Sequence, residues 1–360
     1  STNLQKNFDV ASGTYHTTFS EIDVSCESCH GPASLHVELA RGNSLFWDRK
    51  RGFGLARLKD DPQKQIETCA PCHSRRRCVQ PDYRAGDGYY NHWDNELLMR
   101  ATYHSDGQIR DEVYVWGSFL QSKMFSKGVT CSDCHDPHSQ QLKLPGDAVC
   151  LQCHQANSFA TPAHHHHAPE STGARCANCH MPETTYMVVD PRRDHSIRVP
   201  RPDRSLEYGN PNACNACHSD QTPEWAAQSF RRWYPEVGEP FQSWDETFTA
   251  ARAGDPTAGS RLAELVFDEQ LPDIARATAV LELGRYLSQE TAPAIQSALR
   301  DDSPLLRMAG ARALSGLPPT RALPFAAHLL QDDTLAVRAE TARLLAGAPA
   351  TQMNEAGGQL

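Results

Sequence analysis

The pattern Cys-x-x-Cys-His occurs six times in this chain of 360 residues, at 26–30, 69–73, 131–135, 150–154, 176–180 and 214–218. The pattern is the attachment signal for c-type haem, because two thiols form thioether bonds to the haem edge and the adjacent histidine binds the iron. The copies use twelve of the 13 cysteines: Cys26, Cys29, Cys69, Cys72, Cys131, Cys134, Cys150, Cys153, Cys176, Cys179, Cys214 and Cys217. We therefore predict six covalently attached haem c groups with the proximal iron ligands His30, His73, His135, His154, His180 and His218.

Three other uses of paired cysteines explain the pattern less well. Disulfides give no reason for a histidine after every second cysteine. A zinc site closes its tetrahedron with a second, separated pair of ligands. Thioredoxin-like chemistry needs one motif on an α/β scaffold, whereas this chain has six. The thirteenth cysteine, Cys78, we interpret as a thiol without a role in haem attachment.

A sixth iron ligand is needed at each haem, and histidine is abundant while the chain has only six methionines. The candidates outside the motifs are His16, His36, His92, His104, His138, the run His164, His165, His166 and His167, and His195. Ten candidates for six irons favour bis-histidine ligation. His138 follows His135 too closely to reach the other face of the same haem, so we expect it to bind the iron of a neighbouring one. His36 supports the same interpretation, and one or two ligands are expected in the run.

Composition divides the chain into two parts. All cysteines precede residue 218, and the remainder is rich in Ala, Leu and Arg. Arg276, Arg307 and Arg338 recur at an interval of 31 residues within similar helical segments. Aspartates at 301–302 and 332–333 precede the second and third copies, where they can cap the helices. This period predicts a HEAT-like α-solenoid. We predict a haem-binding domain over 1–220, a packed connector rich in tryptophan over 221–250 and helical repeats over 251–360.

Several stretches resemble multihaem, usually octahaem, c-type cytochromes of the cytochrome c554-like group with C-terminal HEAT or tetratricopeptide repeats. They include SCESCHGPASLH, GSFLQSKMFSKGVTCSDCHDPHS, CANCHMPETTYMVVDPRRDHSIRVPRPD and GNPNACNACH. The resemblance implies bis-histidine haems and distal ligands at His36, His104, His138, two of the four consecutive histidines (His165 and His167) and His195. It also implies two further haem motifs upstream, so we expect the chain to be a fragment. The implied fold is mostly α with extensive loops, a haem-packed domain followed by a solenoid.

Electron transfer through closely packed haems is the function that these patterns favour. The protein is then a carrier, a subunit of a redox complex, or a unit of an extracellular haem filament. The alternative is an oxidoreductase acting on a small nitrogen or sulfur species at one five-coordinate haem. The solenoid is either a docking surface for redox partner proteins or a cap on the haem domain, and self-assembly with other cytochromes stays open.

Location and partner class follow from charge and hydropathy together with the resemblance. The net charge is −9, and no strongly basic surface indicates nucleic acid. No apolar run is long enough to cross a bilayer. No signal peptide is visible, so we expect a mature, trimmed or partial chain. The resemblance implies an exported bacterial or archaeal protein, periplasmic or extracellular.

Overall fold

The structure is a computed structural model, and it describes residues 2–42, 53–349 and 351–352. It is mostly helical with extensive loops, as predicted. The last residues of the predicted repeat domain, 353–360, lie outside the described part of the chain. None of the helices in the described residues is both long and apolar enough to cross a membrane.

Short helices joined by loops make up the part of the chain that holds the motifs. Most span one or two turns, because residues here have few apolar partners along the chain to extend a helix. The helices are Cys26–His30, Ser34–Arg41, Pro62–His73, Val115–Phe119, Lys123–Ser126, Cys131–Cys134, Ala148–Leu151, Ala156–Phe159, Pro162–His165, Cys176–His180, Pro202–Tyr208 and Ala213–Cys217, with 3₁₀ turns at Tyr89–Asn91 and Thr172–Ala174.

The described strands form four small antiparallel hairpins. Each has two strands, so none provides the α/β scaffold of a thioredoxin-like protein. The pairs are Phe8–Asp9 with Thr14–Tyr15, Arg76–Cys78 with Trp93–Asn95, His135–Asp136 with Gln141–Leu142, and Glu183–Tyr186 with Asp190–Arg193.

The C-terminal part is a stack of helices. Equivalent helices of successive copies pack side by side, Asp273–Leu283 on Pro304–Ala313 and the latter on Leu335–Leu345. The other helices are Pro223–Trp233, Asp245–Ala253, Ala258–Phe267, Ala292–Ala298 and Pro319–Ala326, with 3₁₀ turns at Leu314–Gly316 and Ala327–Gln331. The 31-residue repeat in the sequence is therefore a repeat of packed helices.

The repeated arginines and aspartates bond across successive copies. Arg276 Nη2 lies 2.8 Å from Asp301 Oδ2, and Arg307 binds both carboxylate oxygens of Asp332 at 2.6 and 3.0 Å. The same aspartates accept the backbone N–H of Ser303 and Thr334, the residues before each helix. From the sequence, these aspartates are predicted to cap the helices. Their side chains instead join one copy to the next.

One hydrophobic core extends across both halves of the chain. Buried residues Ile66, Tyr89 and Trp116 from the motif-bearing part belong to the same cluster as Phe248 and Leu306 from the helical stack. Hydrogen bonds cross the same junction, from Leu98 N–H to Thr278 Oγ1 at 3.1 Å and from Leu335 N–H to Asn91 Oδ1 at 2.8 Å. Residues 62–125 therefore pack on the solenoid, although the composition of the chain places them with the cysteines.

Candidate haem-binding site

Helix geometry brings the three reactive side chains together in three of the six motifs. In Cys26–His30 and Cys176–His180 the whole motif is helical. Residues three and four apart lie on one face of a helix, so the two thiols and the histidine point to the same side. The second motif ends the longer helix Pro62–His73, whose N-terminus is capped by Asp61 accepting from Lys64 N–H at 3.0 Å.

All 13 cysteines are free thiols, and those of successive motifs lie close together. Cys69 hydrogen-bonds to Cys131 of the third motif, which raises the pKa of the Cys69 thiol. Cys150 hydrogen-bonds to Cys176 of the fifth motif, which lowers the pKa of Cys150 to about 7. Two pairs of neighbouring motifs are thereby linked, the second with the third and the fourth with the fifth.

The pKa shifts of three other thiols indicate which of the remaining motifs lie close together. Burial raises the pKa of Cys29, and the nearby Cys69 thiol adds to the rise. Burial also raises the pKa of Cys134, with Cys150 as the next cause, and that of Cys179, with Cys217 as the next cause. Hydrogen bonds beside the motifs show the same neighbours, Ser132 N–H to Gln65 Oε1 at 3.2 Å, Gln152 Nε2 to Asp133 O at 3.1 Å and Cys176 N–H to Asp147 Oδ1 at 3.1 Å.

Four of the six motif histidines face a second histidine. When two histidines bind one metal from opposite sides, each metal–nitrogen bond is about 2 Å long. Adding the distance from each nitrogen to the centre of its ring gives about 6 Å between the two ring centres. The observed distances between ring centres match that separation, and the planes of the paired rings are inclined by 10° to 30°. The pairs are His30 with His138 at 6.2 Å, His135 with His195 at 6.4 Å, His180 with His164 at 6.1 Å, and His218 with His167 at 6.0 Å.

Backbone carbonyls fix the orientation of several of these rings. When Nδ1–H donates to a carbonyl oxygen, the lone pair of Nε2 is left for a metal, an arrangement typical of metal-binding histidines. The structure has His180 Nδ1 at 2.8 Å from Arg198 O, His195 Nδ1 at 2.9 Å from Arg193 O, and His167 Nδ1 at 2.5 Å from His165 O.

Burial also favours the protonation state that a metal needs. It lowers the pKa of His73, His135, His180 and His195, so these rings are neutral in ordinary buffers. A neutral imidazole has a free lone pair, whereas a protonated one has none. The chain therefore presents these groups in a state ready to bind iron.

His73 and His154 differ from the other four motif histidines. Among the described residues, no imidazole faces either of them at the separation of the four pairs. The ring of His154 instead meets the edge of Phe159, with ring centres 5.6 Å apart. The pKa of His73 is lowered mainly by burial, and the nearby His135 and Arg192 side chains lower it further.

The remaining predicted ligands have other neighbours. His36 Nδ1 lies 3.0 Å from Phe53 O, so its Nε2 is oriented like those of the paired rings. The ring of His104 is half-buried, and burial lowers its pKa. His165 touches His167, with ring centres 6.5 Å apart, while His164 occupies the position opposite His180. Ligand roles of His36, His104 and His165 stay predictions.

Two weaker candidates from the sequence lie away from the motif histidines. His16 is exposed, in the hairpin near the N-terminus, and its Nε2 is 3.4 Å from Thr14 Oγ1. His92 is buried, and its Nε2 is 3.5 Å from the carboxylate of Asp87. Neither arrangement resembles the four facing pairs.

Aromatic residues of the connector pack against the histidine run, a contact that sequence reasoning missed. The indole of Trp233 stacks on His166, with ring centres 4.3 Å apart and planes inclined by 8°. Trp225 contacts His218 at 5.0 Å. Three tryptophans in the connector predicted packing, but nothing in the sequence indicated that Trp233 stacks on a histidine 67 residues earlier.

These residues fit covalently bound haem c. In the first, second and fifth motifs the two cysteines and the histidine lie on one face of a helix, and four motifs have an opposing imidazole. In the described part of the chain, no group of three or more His, Cys, Asp and Glu side chains forms a metal site of another kind.

Comparison with known proteins gives three findings. Residues 259–346 match the family model of HEAT repeats, and residues 123–159 match that of the doubled CXXCH motif. A solved structure, the outer cell wall cytochrome OcwA, aligns with 16% identity over 83% of this chain and 71% of that chain, with a TM-score of 0.44. No curated protein matches. The match to the doubled CXXCH motif and the six copies in the sequence support a multihaem c-type cytochrome. The C-terminal part of this chain consists of HEAT repeats.

Proposed function

We propose that this chain is an electron-transfer protein that binds six haem c groups, at least four of them between two histidines. The observation that carries the proposal is the set of four facing histidine pairs on motifs that lie close together. When bound, each haem c supplies an iron that takes up and releases one electron. The chain's own residues fix the spacing and the axial ligands of these groups.

Two short peptides each serve two sites in this proposal. His135 and His138, three residues apart, face His195 and His30 respectively. His164 and His167, again three residues apart, face His180 and His218. Such a peptide holds two neighbouring haem groups at a fixed separation, which favours electron transfer between them.

Replacing His138 tests the ligand assignment. The His138→Ala variant of the haem-loaded protein is expected to lose one low-spin signal in electron paramagnetic resonance and to gain one high-spin signal. His16→Ala is the control, since His16 is exposed and faces no motif histidine in the described residues. An unchanged number of low-spin haems in His138→Ala would refute the assignment.

The alternative function is catalysis on a small nitrogen or sulfur species. It is favoured by His73 and His154, which have no facing imidazole among the described residues, and by the positive charge of Arg192 near His73. Addition of nitrite, hydroxylamine or cyanide to the oxidised protein distinguishes the two functions. A shifted high-spin signal, weakened in Arg192→Ala, supports catalysis, and an unchanged spectrum supports electron transfer alone.

We also propose that the protein is exported and works in the periplasm or outside the cell, with redox partners docking on the HEAT repeats. The resemblance to exported multihaem cytochromes supports this location. Fractionation of expressing cells tests the location, and electron microscopy of the purified protein separates filaments from a carrier.

A further inference from the structure

Four consecutive histidines, 164–167, have four different environments. His164 faces His180, and His167 faces His218. Two hydrogen bonds join His165 and His167. The backbone N–H of His167 donates to Nδ1 of His165 at 3.2 Å, and Nδ1–H of His167 donates to the carbonyl oxygen of His165. His166 alone stacks on an indole, that of Trp233.

The backbone changes direction at the same residue. Helix Pro162–His165 ends where His166 adopts a left-handed conformation, with φ of 55°. A residue other than glycine is uncommon there and is held by its surroundings. Because the turn lies between His164 and His167, it decides which way each of those rings points.

The connector contacts the turn at two points. Trp233 ends the helix Pro223–Trp233 and covers the ring of His166. The hydroxyl of the next residue, Tyr234, donates a hydrogen bond to the carbonyl oxygen of His164 and touches the His166 ring edge-on at 5.6 Å. A parallel ring stack at 4.3 Å is direct contact, whereas the facing pairs are spaced at about 6 Å, as two ligands of one metal are.

We propose that His166 and Trp233 are positioning residues, whose stack orients His164 and His167 toward the fifth and sixth motifs. The proposal rests on the haem binding proposed above and assigns a role to each histidine in the run. Two rings bind iron, one holds its neighbour by hydrogen bonds, and one anchors the turn. The connector thereby sets the axial geometry of two haem sites from outside those sites.

Substitutions on both sides of the stack test the proposal in the haem-loaded, full-length protein. Trp233→Ala and His166→Ala are each expected to shift the low-spin signals and the reduction potentials of the same two haems, and to leave the others unchanged. Trp233→Phe, which keeps an aromatic face, is expected to restore most of the wild-type spectrum. The double variant is expected to shift the signals no more than either single variant, since both remove one contact.

Phe325→Ala is the matched control, because Phe325 is a partly exposed aromatic residue of the solenoid helix Pro319–Ala326. Wild-type spectra in both Trp233→Ala and His166→Ala would overturn the proposal, as would loss of a low-spin haem in His166→Ala alone, which would make His166 a ligand. If Trp233→Ala does not accumulate, His166→Ala and Trp233→Phe decide the question. Absence of low-spin haem in the wild-type protein would instead refute the proposed function.

Discussion

Gly173 provides the space that the ring of His167 occupies. A Cβ atom at this position would lie 2.2 Å from Cδ2 of His167, far inside contact distance. We expect Gly173→Ala to displace His167 from its place opposite His218, at a cost of about 1–3 kcal/mol in stability. Electron paramagnetic resonance is expected to show one altered low-spin haem. Gly238→Ala is the control, since its Cβ would meet nothing within 4 Å, and an equal effect there would contradict the explanation.

At the scale of residues, the sequence predicts the proximal side of the haem sites better than the distal side. Each proximal histidine adjoins its cysteine pair, so a local pattern reveals it. The facing histidine comes from elsewhere in the chain, as His138 does for His30, and only the fold brings the two together. The position of His164 opposite His180 depends on the left-handed turn at His166, which the run of four identical residues does not reveal.

At the scale of elements, a cluster of four charged residues joins a hairpin of the motif-bearing half to the solenoid. Arg77 and Asp94 lie on the paired strands Arg76–Cys78 and Trp93–Asn95. Arg77 binds Glu340 at 2.7 Å, and Arg312 binds Asp94 at 2.6 Å and Glu340 at 3.1 Å. The arginines in this cluster are separated by more than 230 residues, so their pairing could not be predicted from spacing.

The cluster predicts a pH dependence of stability. Burial would raise the pKa of Glu340, but Arg312 and the other arginines outweigh it and hold the pKa below the ordinary value of 4.5. A lowered pKa stabilises the folded state above that ordinary value, and the stabilisation is lost as the pH falls through the folded pKa. We expect Glu340→Gln to lower the free energy of unfolding by about 1–3 kcal/mol at pH 7 and less in acid. Circular dichroism during urea titration measures this, with the exposed Glu264→Gln as control. An equal loss at pH 3 and pH 7 would contradict it.

At the scale of the molecule, the solenoid forms part of the core of the motif-bearing half. Composition changes where the cysteines end, and the predicted division at residues 220 and 250 follows that change. The buried core extends across that change in composition, because Leu98, Tyr103 and Trp116 share it with Phe248 and Ile274. The six motifs and the 31-residue period could be predicted from local patterns, whereas the shared core depends on contacts between segments far apart in the chain.

Truncation tests the shared core. A chain ending at residue 256 would expose residues such as Leu98. Exposing one fully buried leucine lowers the free energy of unfolding by about 1.5–3 kcal/mol. We expect residues 89–120 to lose protection from hydrogen exchange in that variant. A chain ending at residue 346 retains the matched HEAT repeats and serves as control. Unchanged protection of residues 89–120 after the longer deletion would show that the two halves fold independently.

The most direct test of the account is the ligation state of the haems in the intact, oxidised protein. Haem content by the pyridine haemochrome assay, combined with low-temperature electron paramagnetic resonance, gives the number of low-spin and high-spin irons per chain. We predict six haems, with at least four low-spin irons from the four facing histidine pairs. Fewer than six haems, or fewer than four low-spin irons, would contradict it.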